Sequence, residues 1–206
     1  MSLSNGNNFI FVHIYKCGGM TMRKVLQDSL RAIELSSSHA TAKEIKEYCY
    51  NSGGKFFYDT AFKFSIVRNP FDWVVSLYEF IRGNSNHANY EEIKDMNFEQ
   101  FCQWNIDCIN NKKLNPNGTF NSLTSFLHDD EGKLLVDFVG RIENYEADIQ
   151  EIFKRLNIST TTLESGIPKV NPSNREPDYR SYYNDVSRKI IEEGLAEDLK
   201  IFNYQF

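Results

Sequence analysis

The sequence predicts an α/β fold in which helices flank a mostly parallel central sheet. Short apolar runs at residues 9–14, 61–67 and 134–139 are typical of buried strands, and an amphipathic helical pattern follows each of them. Strands that alternate with helices in this way are typical of sheets whose strands lie parallel. Because no repeat and no linker interrupts the pattern, we expect a single domain over residues 1–206.

The composition is that of a globular protein. Of the 206 residues, 41% are hydrophobic and 25% are charged, so the chain can bury a full core. Its 23 basic and 28 acidic side chains give a net charge of −5, which argues against general binding to nucleic acid. The four cysteines form no CxxC pair, and no group of histidines and cysteines has the spacing of a zinc site. We therefore expect reduced thiols and no metal.

The sequence shows no signal for membrane insertion or export. Residues 1–8 are polar and lack the basic and apolar segments of a signal peptide, so we expect a flexible N-terminus. No run of about 18 apolar residues is present that could span a membrane. These observations predict a soluble, cytoplasmic protein.

The first half of the chain is expected to alternate strand and helix. The strand at residues 9–14 leads through a glycine turn into a helix whose apolar stripe is Met22, Val25, Leu26, Leu30 and Ile33. Thr41 and Glu44 have the spacing of a capping box, which predicts a second helix that ends at residues 51–54. The strand at residues 61–67 is followed by Asn69 and Pro70, a typical helix start.

The second half is expected to add a helical insertion and a further strand and helix. Residues 83–120 are rich in asparagine and include a helix start at Asn97, which predicts a helical insertion over the site. A turn at residues 129–132 precedes the strand at 134–139, and a helix with apolar residues from Ile149 to Leu156 follows. We expect a long loop over residues 160–180 and a final helix over residues 186–202.

The turn after the first strand has the composition of a phosphate-binding loop. Lys16, Cys17, Gly18, Gly19, Met20 and Thr21 come directly after a strand and open a helix. Two glycines allow backbone N–H groups to close around an anion, and the helix N-terminus adds its dipole. The order differs from a Walker A loop, in which the lysine follows the glycines. An ordinary strand-to-helix turn is the alternative.

A second pair of residues could bind a second phosphate. Arg68 ends the strand at residues 61–67, and Ser76 follows eight residues later in the next helix. Asn69, Asp72 and Ser76 share a stripe at steps of three and four residues, so Arg68 and Ser76 can face one crevice. A guanidinium and a hydroxyl together suit a phosphate. The alternative is a surface arginine and an exposed helical serine.

These segments together resemble the sulfotransferases. FVHIYKCGGMT is similar to their 5′-phosphosulfate loop, commonly written HIPKTGGTS, and FKFSIVRNPFDWVVSLY is similar to their 3′-phosphate motif. VDFVGRIENYEADI and the segment from residue 179 to the end resemble later blocks of carbohydrate-type, Golgi-like members. The match runs in order over nearly the whole chain, and SHATAKEI resembles a block of some soluble bacterial members. The resemblance implies the P-loop-like sulfotransferase fold.

The resemblance also implies a donor and the residues that bind it. The donor would be 3′-phosphoadenosine-5′-phosphosulfate, with its 5′-phosphosulfate held by Lys16 through Thr21 and its 3′-phosphate by Arg68 and Ser76. A late loop that closes over the nucleotide in related members would place Asn171 and Ser173 against it; a solvated turn is the alternative. The chain departs from the family pattern at three positions of the first motif: Tyr15 replaces a proline, Cys17 a threonine, and Met20 a threonine or serine.

Sulfuryl transfer to a hydroxyl requires a general base, and His39 is the candidate. Related carbohydrate sulfotransferases keep a catalytic histidine or glutamate between the first helix and the Arg68 strand, the interval in which His39 lies; a capping or packing role is the alternative. Glu44 is the second choice as base. His13 is expected in the core, and His87 and His128 are expected to face solvent. Lys16 would stabilise charge on the leaving phosphate oxygen.

The sequence therefore predicts a sulfotransferase whose acceptor is a hydroxyl of a carbohydrate or other small glycan, with no metal and no nucleic-acid partner. Two alternatives remain open: a P-loop-like small-molecule kinase, and a non-catalytic protein of the same fold that binds a nucleotide or a glycan. The position of Lys16 before the glycines and the Arg68–Ser76 pair argue against the kinase. Lys16 and His39 argue against the non-catalytic protein, whereas Cys17 and Met20 leave it open.

Overall fold

The structure is a computed structural model that describes residues 2–3, 8–30, 33–34, 39–115, 118–158 and 175–206. The chain divides into two compact units, the first formed by residues 1–67 and 125–171 and the second by residues 68–124 and 172–206. The single domain over residues 1–206 stays a prediction.

The described residues contain seven strands and ten α-helices. The strands are β1 (Ser2–Leu3), β2 (Phe9–Val12), β3 (Ile33–Glu34), β4 (Phe62–Val67), β5 (Leu114–Asn115), β6 (Gly118–Thr119) and β7 (Phe138–Arg141). The helices are α1 (Gly19–Leu30), α2 (Ala42–Asn51), α3 (Lys55–Thr60), α4 (Pro70–Arg82), α5 (Tyr90–Ile93), α6 (Phe98–Asn110), α7 (Leu123–Leu127), α8 (Tyr145–Arg155), α9 (Asp185–Gly194) and α10 (Ala196–Ile201). Short 3-10 helices cover Ile142–Asn144 and Tyr179–Tyr182.

The sheet of the first unit has the strand order β3-β1-β2-β4-β7. Strands β2, β4 and β7 lie parallel, with Phe9 opposite Phe62 and Phe64 opposite Phe138, whereas β1 pairs antiparallel with β2 and β3. The α/β class and the parallel centre of the sheet are confirmed. The carboxyl ends of the three parallel strands meet at one edge, which is where α/β proteins bind ligands.

The core of the first unit lies between one face of the sheet and two helices. Strands β2 and β4 contribute Phe9, Phe11, Phe64 and Ile66, and helices α1 and α8 contribute Met22, Val25, Leu26, Ile149, Ile152 and Phe153. All ten are buried. This packing fixes α1 against the sheet and therefore positions the turn that connects β2 to α1.

Three predicted boundaries in the first unit are wrong. Strand β2 ends at Val12, so residues 13–14 begin the turn, and α1 ends at Leu30, because Ile33 belongs to β3. The strand expected at residues 134–139 lies at Phe138–Arg141. The turn at residues 129–132 closes a bridge between His128 and Leu134, so the chain reaches the sheet only afterwards. Helix α3 was not predicted, and residues 1 and 4–7 of the N-terminal segment expected to be flexible lie outside the described residues.

The second unit is built around α4, which is buried nearly all round. Asn69 caps the helix by accepting from the Phe71 N–H at 3.1 Å, and Pro70 occupies the first helical position, as predicted. The Tyr183 hydroxyl donates to the Phe71 carbonyl at 2.9 Å, which ties the C-terminal segment to α4. The Asn-rich segment contains α5, α6 and the β5–β6 hairpin, and the predicted helix start at Asn97 is confirmed. The position of this insertion over the site stays a prediction.

The final helix is divided, contrary to the expectation of one helix over residues 186–202. Helix α9 ends at Gly194, where a Cβ atom would lie 2.6 Å from the Ile106 side chain of α6. The chain restarts as α10, whose buried Asp198 carboxylate accepts from the N–H groups of Leu123 and Thr124, both at 2.8 Å. The break in the helix therefore allows the contact between Gly194 and Ile106 and the hydrogen bonds of Asp198. No local pattern in the sequence predicts either of them.

The longest α-helices in the described parts of the chain are α4 and α6, with 13 residues each. A membrane-spanning helix needs about 20 residues, and no described helix is both long and apolar enough to span a membrane.

The capping box of α6 gives a test of local stability. The Asn97 side chain accepts from the Gln100 N–H, and the Gln100 side chain accepts from the Asn97 N–H, both at 2.9 Å. Asn97→Ala removes the hydrogen bond from the Gln100 N–H to the Asn97 side chain. It should lower the free energy of unfolding by about 1 kcal/mol. The matched control is Asn110→Ala at the other end of the same helix, with an expected change within about 0.5 kcal/mol. Urea unfolding measures both, and equal changes would contradict the assigned cap.

Candidate functional site

The turn from β2 into α1 has an unusual backbone. Gly18 has a φ of +73°, and Lys16, a residue with a full side chain, has a φ of +62°. Residues other than glycine rarely adopt this left-handed conformation, which costs on the order of 1–2 kcal/mol, and they do so mainly where the surrounding structure imposes it at functional sites. The conformation of Lys16 therefore supports a functional role for this turn.

The two glycines of the turn are required by contacts as well as by conformation. A Cβ atom on Gly19 would lie 1.9 Å from the imidazole ring of His13, so the ring rests directly on the Gly19 backbone. A Cβ atom on Gly18 would lie 2.6 Å from the Ile142 side chain and 3.1 Å from the Tyr145 ring. Since neither position has room for a side chain, glycine is required at both, as expected of a loop whose backbone N–H groups bind an anion.

The other side chains of the turn differ in exposure. Cys17 and Thr21 are buried, whereas Met20 is 47% exposed and its sulfur lies 3.8 Å from an Arg23 guanidinium nitrogen. Cys17 and Met20 are two of the three positions that depart from the family pattern. The Cys17 side chain is buried and the Met20 side chain is exposed to solvent, so neither substitution disrupts the turn.

His39 is held in one orientation by the backbone that precedes the same turn. Its Nδ1 lies 3.1 Å from the His13 carbonyl oxygen, and the two imidazole rings are 4.5 Å apart between centroids. Because a carbonyl oxygen only accepts, Nδ1 carries the hydrogen and donates it. In the neutral ring Nε2 then holds the free electron pair, which is the form that a general base needs. His13 thus contacts both Gly19 and His39.

Aromatic rings surround His39. The Tyr15 ring packs edge-on against His39, with 5.8 Å between centroids, and also against buried Phe126 at 5.5 Å. Burial lowers the pKa of His39 below its usual value of 6.5, and the nearby Arg23 charge lowers it further, against the opposing effect of the bond to the His13 backbone. His39 is therefore neutral at physiological pH and ready to accept a proton.

The other candidate bases have structural roles. Glu44 completes the capping box of α2: its carboxylate accepts from the Thr41 N–H at 2.7 Å and from the Thr41 hydroxyl at 3.0 Å. His13 is buried, as expected. His87 and His128, which were expected to face solvent, are both half-buried; the His87 ring accepts from the Asn89 N–H, and the backbone of His128 forms a bridge with Leu134.

In the second unit, one carboxylate lies between two arginines. Asp72 Oδ2 is 2.6 Å from Arg68 Nε, and Asp72 Oδ1 is 2.5 Å from Arg175 Nη2. Ser76 follows Asp72 by one turn of α4 and is 2% exposed, so it is not the exposed helical serine of the alternative interpretation. Asp72 therefore holds two guanidinium groups close together in a mostly buried setting. Guanidinium groups are well suited to bind a phosphate.

The sequence is matched by the model of the sulfotransferase family over residues 2–205. This chain belongs to the sulfotransferase family. No curated protein and no solved structure matches it. Family membership supports a transferase that moves a sulfuryl group, and it agrees with the parallel sheet and the glycine turn after β2.

The structure places most of the predicted site residues of this sulfotransferase. Lys16 through Thr21 form the turn and His39 joins it through His13, whereas Arg68 and Ser76 lie in the second unit. Asn171 and Ser173 lie outside the described residues.

Sequence reasoning missed Arg175, because a single arginine in a polar loop has no pattern that links it to α4. Within the described ranges, no group of three acidic, histidine or cysteine side chains is placed to hold a metal ion.

The lowered pKa of His39 predicts a pH dependence of stability. Because the folded pKa lies below the unfolded value of about 6.5, the unfolded chain binds more protons between the two values. The free energy of unfolding should therefore fall as the pH drops below about 6.5 and level off below the folded pKa. NMR titration should place the pKa of His39 below 6.5, and His39→Gln should weaken the pH dependence in urea unfolding. A pKa above 6.5 would contradict the burial argument.

Proposed function

We propose that this protein transfers a sulfuryl group from 3′-phosphoadenosine-5′-phosphosulfate to a hydroxyl of a carbohydrate or other small glycan. The observation that carries the proposal is the match to the sulfotransferase family over residues 2–205. The donor supplies a sulfuryl group that is activated by its bond to phosphate. The chain's own residues bind the donor, stabilise the leaving phosphate and take the proton of the acceptor hydroxyl.

The turn between β2 and α1 fits the 5′-phosphosulfate. Close contacts from His13, Ile142 and Tyr145 require glycine at positions 18 and 19, and two glycines allow backbone N–H groups to close around an anion. Helix α1 begins at Gly19, so the first N–H groups of a 12-residue helix point out of its N-terminal end. Lys16 adds a positive charge. In this proposal Cys17, Met20 and Thr21 contribute their backbone, which explains why two of them can depart from the family pattern.

The 3′-phosphate is assigned to Arg68 and Ser76, with Arg175 added from the structure. The two guanidinium groups that Asp72 holds close together support this assignment, because a phosphate accepts charge-assisted hydrogen bonds from such groups. Asp72 holds both arginines in place before the ligand arrives, so little ordering is needed on binding. Asn171 and Ser173 are proposed to contact the nucleotide from the late loop, as the family resemblance implies.

The proposed reaction is an in-line displacement at sulfur. The acceptor hydroxyl oxygen forms a bond to sulfur while the bond from sulfur to the phosphate oxygen breaks. His39 Nε2 takes the hydroxyl proton, and Nδ1 keeps its bond to the His13 carbonyl. Lys16 stabilises the negative charge that develops on the departing phosphate oxygen, so the mechanism calls for no metal ion.

The proposed acceptor class rests on the family resemblance and on the charge of the chain. A carbohydrate acceptor follows from the resemblance to carbohydrate-type members, and the net charge of −5 disfavours a heavily sulfated chain. The cytoplasmic location predicted from the sequence stays a prediction.

Turnover of radiolabelled donor tests the proposed function directly. Purified protein is incubated with 35S-labelled donor and a panel of neutral sugars, anionic sugars, lipids and phenols. Transfer of label to a sugar supports the full proposal, and transfer to another class retains the sulfotransferase but changes its acceptor. Competition by ATP for the donor site, with no transfer to any acceptor, would favour a kinase and overturn the proposal.

Arg68 gives a prediction about donor recognition. A charge-assisted hydrogen bond contributes about 1.5–3 kcal/mol, or roughly 10- to 150-fold in affinity. Wild-type protein should bind adenosine 3′,5′-bisphosphate much more tightly than 5′-AMP, which lacks only the 3′-phosphate. Arg68→Ala should remove most of this preference and leave the affinity for 5′-AMP nearly unchanged, as calorimetric titration would show. The control is Arg155→Ala, at an arginine that pairs with Glu151 on the surface of α8 and should leave the preference intact.

His39 gives a prediction about the chemical step. A general base contributes roughly 10²–10⁴-fold, so His39→Ala should reduce turnover on that scale and leave nucleotide affinity almost unchanged. In the wild type, kcat/KM should fall on the acidic side of the pKa of His39, below pH 6.5. Glu44→Gln is the control, because the capping role of Glu44 predicts a small loss of stability and retained activity. If Glu44→Gln abolishes turnover and His39→Ala does not, the base is wrongly assigned.

A further inference from the structure

The hydroxyl of Tyr145 reaches the glycine turn from the start of α8. Its oxygen donates to the Gly18 carbonyl oxygen at 2.7 Å, and its ring is one of the two groups that fill the space beside Gly18. Tyr145 lies 127 positions away from Gly18 in the sequence and belongs to the same compact unit. Burial raises the pKa of the Tyr145 phenol, so the hydroxyl stays protonated and remains a donor at neutral pH.

The Gly18 carbonyl accepts two hydrogen bonds. The second comes from the Met22 N–H at 3.1 Å, which is the first backbone bond of α1. Both lone pairs of the oxygen are thereby used, one by the helix and one by Tyr145. A carbonyl held from two directions cannot rotate without breaking one of the two bonds.

The orientation of this carbonyl determines the orientation of the next N–H. Gly18 C=O and Gly19 N–H belong to one peptide group, which is planar and trans, so the two bonds point in opposite directions. A bond that holds the carbonyl toward Tyr145 and Met22 therefore turns the Gly19 N–H away from them. Glycine at both positions would otherwise allow this peptide to flip with little steric cost, because glycine adopts φ values of either sign.

We propose that Tyr145 is a positioning residue that holds the Gly18–Gly19 peptide in the orientation that binds the 5′-phosphate end of the donor. The inference rests on the proposed function, since that function assigns the turn to the 5′-phosphosulfate. Tyr145 does not touch the donor and takes no part in proton transfer. Its contribution is to remove the conformational cost that a flexible diglycine would otherwise impose when the anion binds.

The test compares two ligands that differ only in the 5′-phosphate. Adenosine 3′,5′-bisphosphate and adenosine 3′-monophosphate are titrated by calorimetry into the wild type, Tyr145→Phe and Tyr78→Phe. Tyr145→Phe removes one hydroxyl, keeps the ring and leaves the Gly18 carbonyl bonded to Met22, so the fold should be retained. Tyr78→Phe is the matched control, because the Tyr78 hydroxyl also donates to a backbone carbonyl, that of Met96 at 3.0 Å.

Tyr145→Phe should weaken the affinity for the bisphosphate about three- to tenfold, the size of one neutral hydrogen bond, and leave the affinity for the monophosphate unchanged. Tyr78→Phe should change neither. An equal loss for both ligands, or no loss for either, would overturn the role of Tyr145. If the wild type itself binds the two ligands equally, the turn does not bind the 5′-phosphate, and the proposed function fails together with the inference.

A measurement on the wild type keeps the inference testable if Tyr145→Phe does not fold. The 13Cζ resonance of labelled Tyr145 reports the hydrogen bond of its hydroxyl. It should shift when the bisphosphate binds and stay in place with the monophosphate. A resonance that does not respond to the bisphosphate would contradict a connection between Tyr145 and the anion site.

Discussion

The close packing around the two glycines is the constraint on which the rest of the site depends. The His13 ring rests on Gly19, and Ile142 and Tyr145 fill the space beside Gly18, so the turn can be formed only by residues without side chains. His13 directly follows β2, Ile142 begins the 3-10 helix after β7, and Tyr145 begins α8. The core of the first unit holds β2 and α8 in place. The hydrophobic core thus determines the backbone geometry of the turn, and the turn presents N–H groups with little conformational freedom left to lose.

In the second unit, the proposed site residues are held in place by ion pairs, whereas in the first unit close packing holds them. A carboxylate beside the proposed 3′-phosphate site would normally oppose anion binding, yet Asp72 lies between Arg68 and Arg175. Without it, the two mostly buried guanidinium groups would repel each other. With it, both are held in fixed positions where they could contact the phosphate of the proposed donor. The Asp72 carboxylate therefore weakens anion binding by its own charge, but it also holds both arginines in place before an anion binds.

Local sequence patterns predicted those parts of the fold that depend on interactions between residues close together in the sequence. The capping boxes at Thr41 and Asn97, the Asn69–Pro70 helix start and the alternating strand before Arg68 were all found in the structure. The predicted boundaries are wrong where a contact between residues distant in the sequence determines the start or end of an element. The strand expected from residue 134 begins at Phe138 because Leu134 pairs with His128, and the last helix breaks where Gly194 meets Ile106. Arg175 and Tyr145 were missed for the same reason, since each acts on a residue more than 100 positions away.

Backbone contacts also explain how this chain can keep the site while changing its motif. The groups that orient His39 and the proposed anion loop are carbonyl oxygens, of His13 and Gly18 respectively, and a carbonyl is present whatever the side chain. Cys17 and Met20 occupy positions whose side chains point into the core or into solvent, so their identity affects the turn little. Tyr15 is different, because its ring packs against His39 in place of the proline of the family pattern. Of the three departures, only Tyr15 therefore alters the surroundings of the proposed base, and with them the surface that an acceptor would meet.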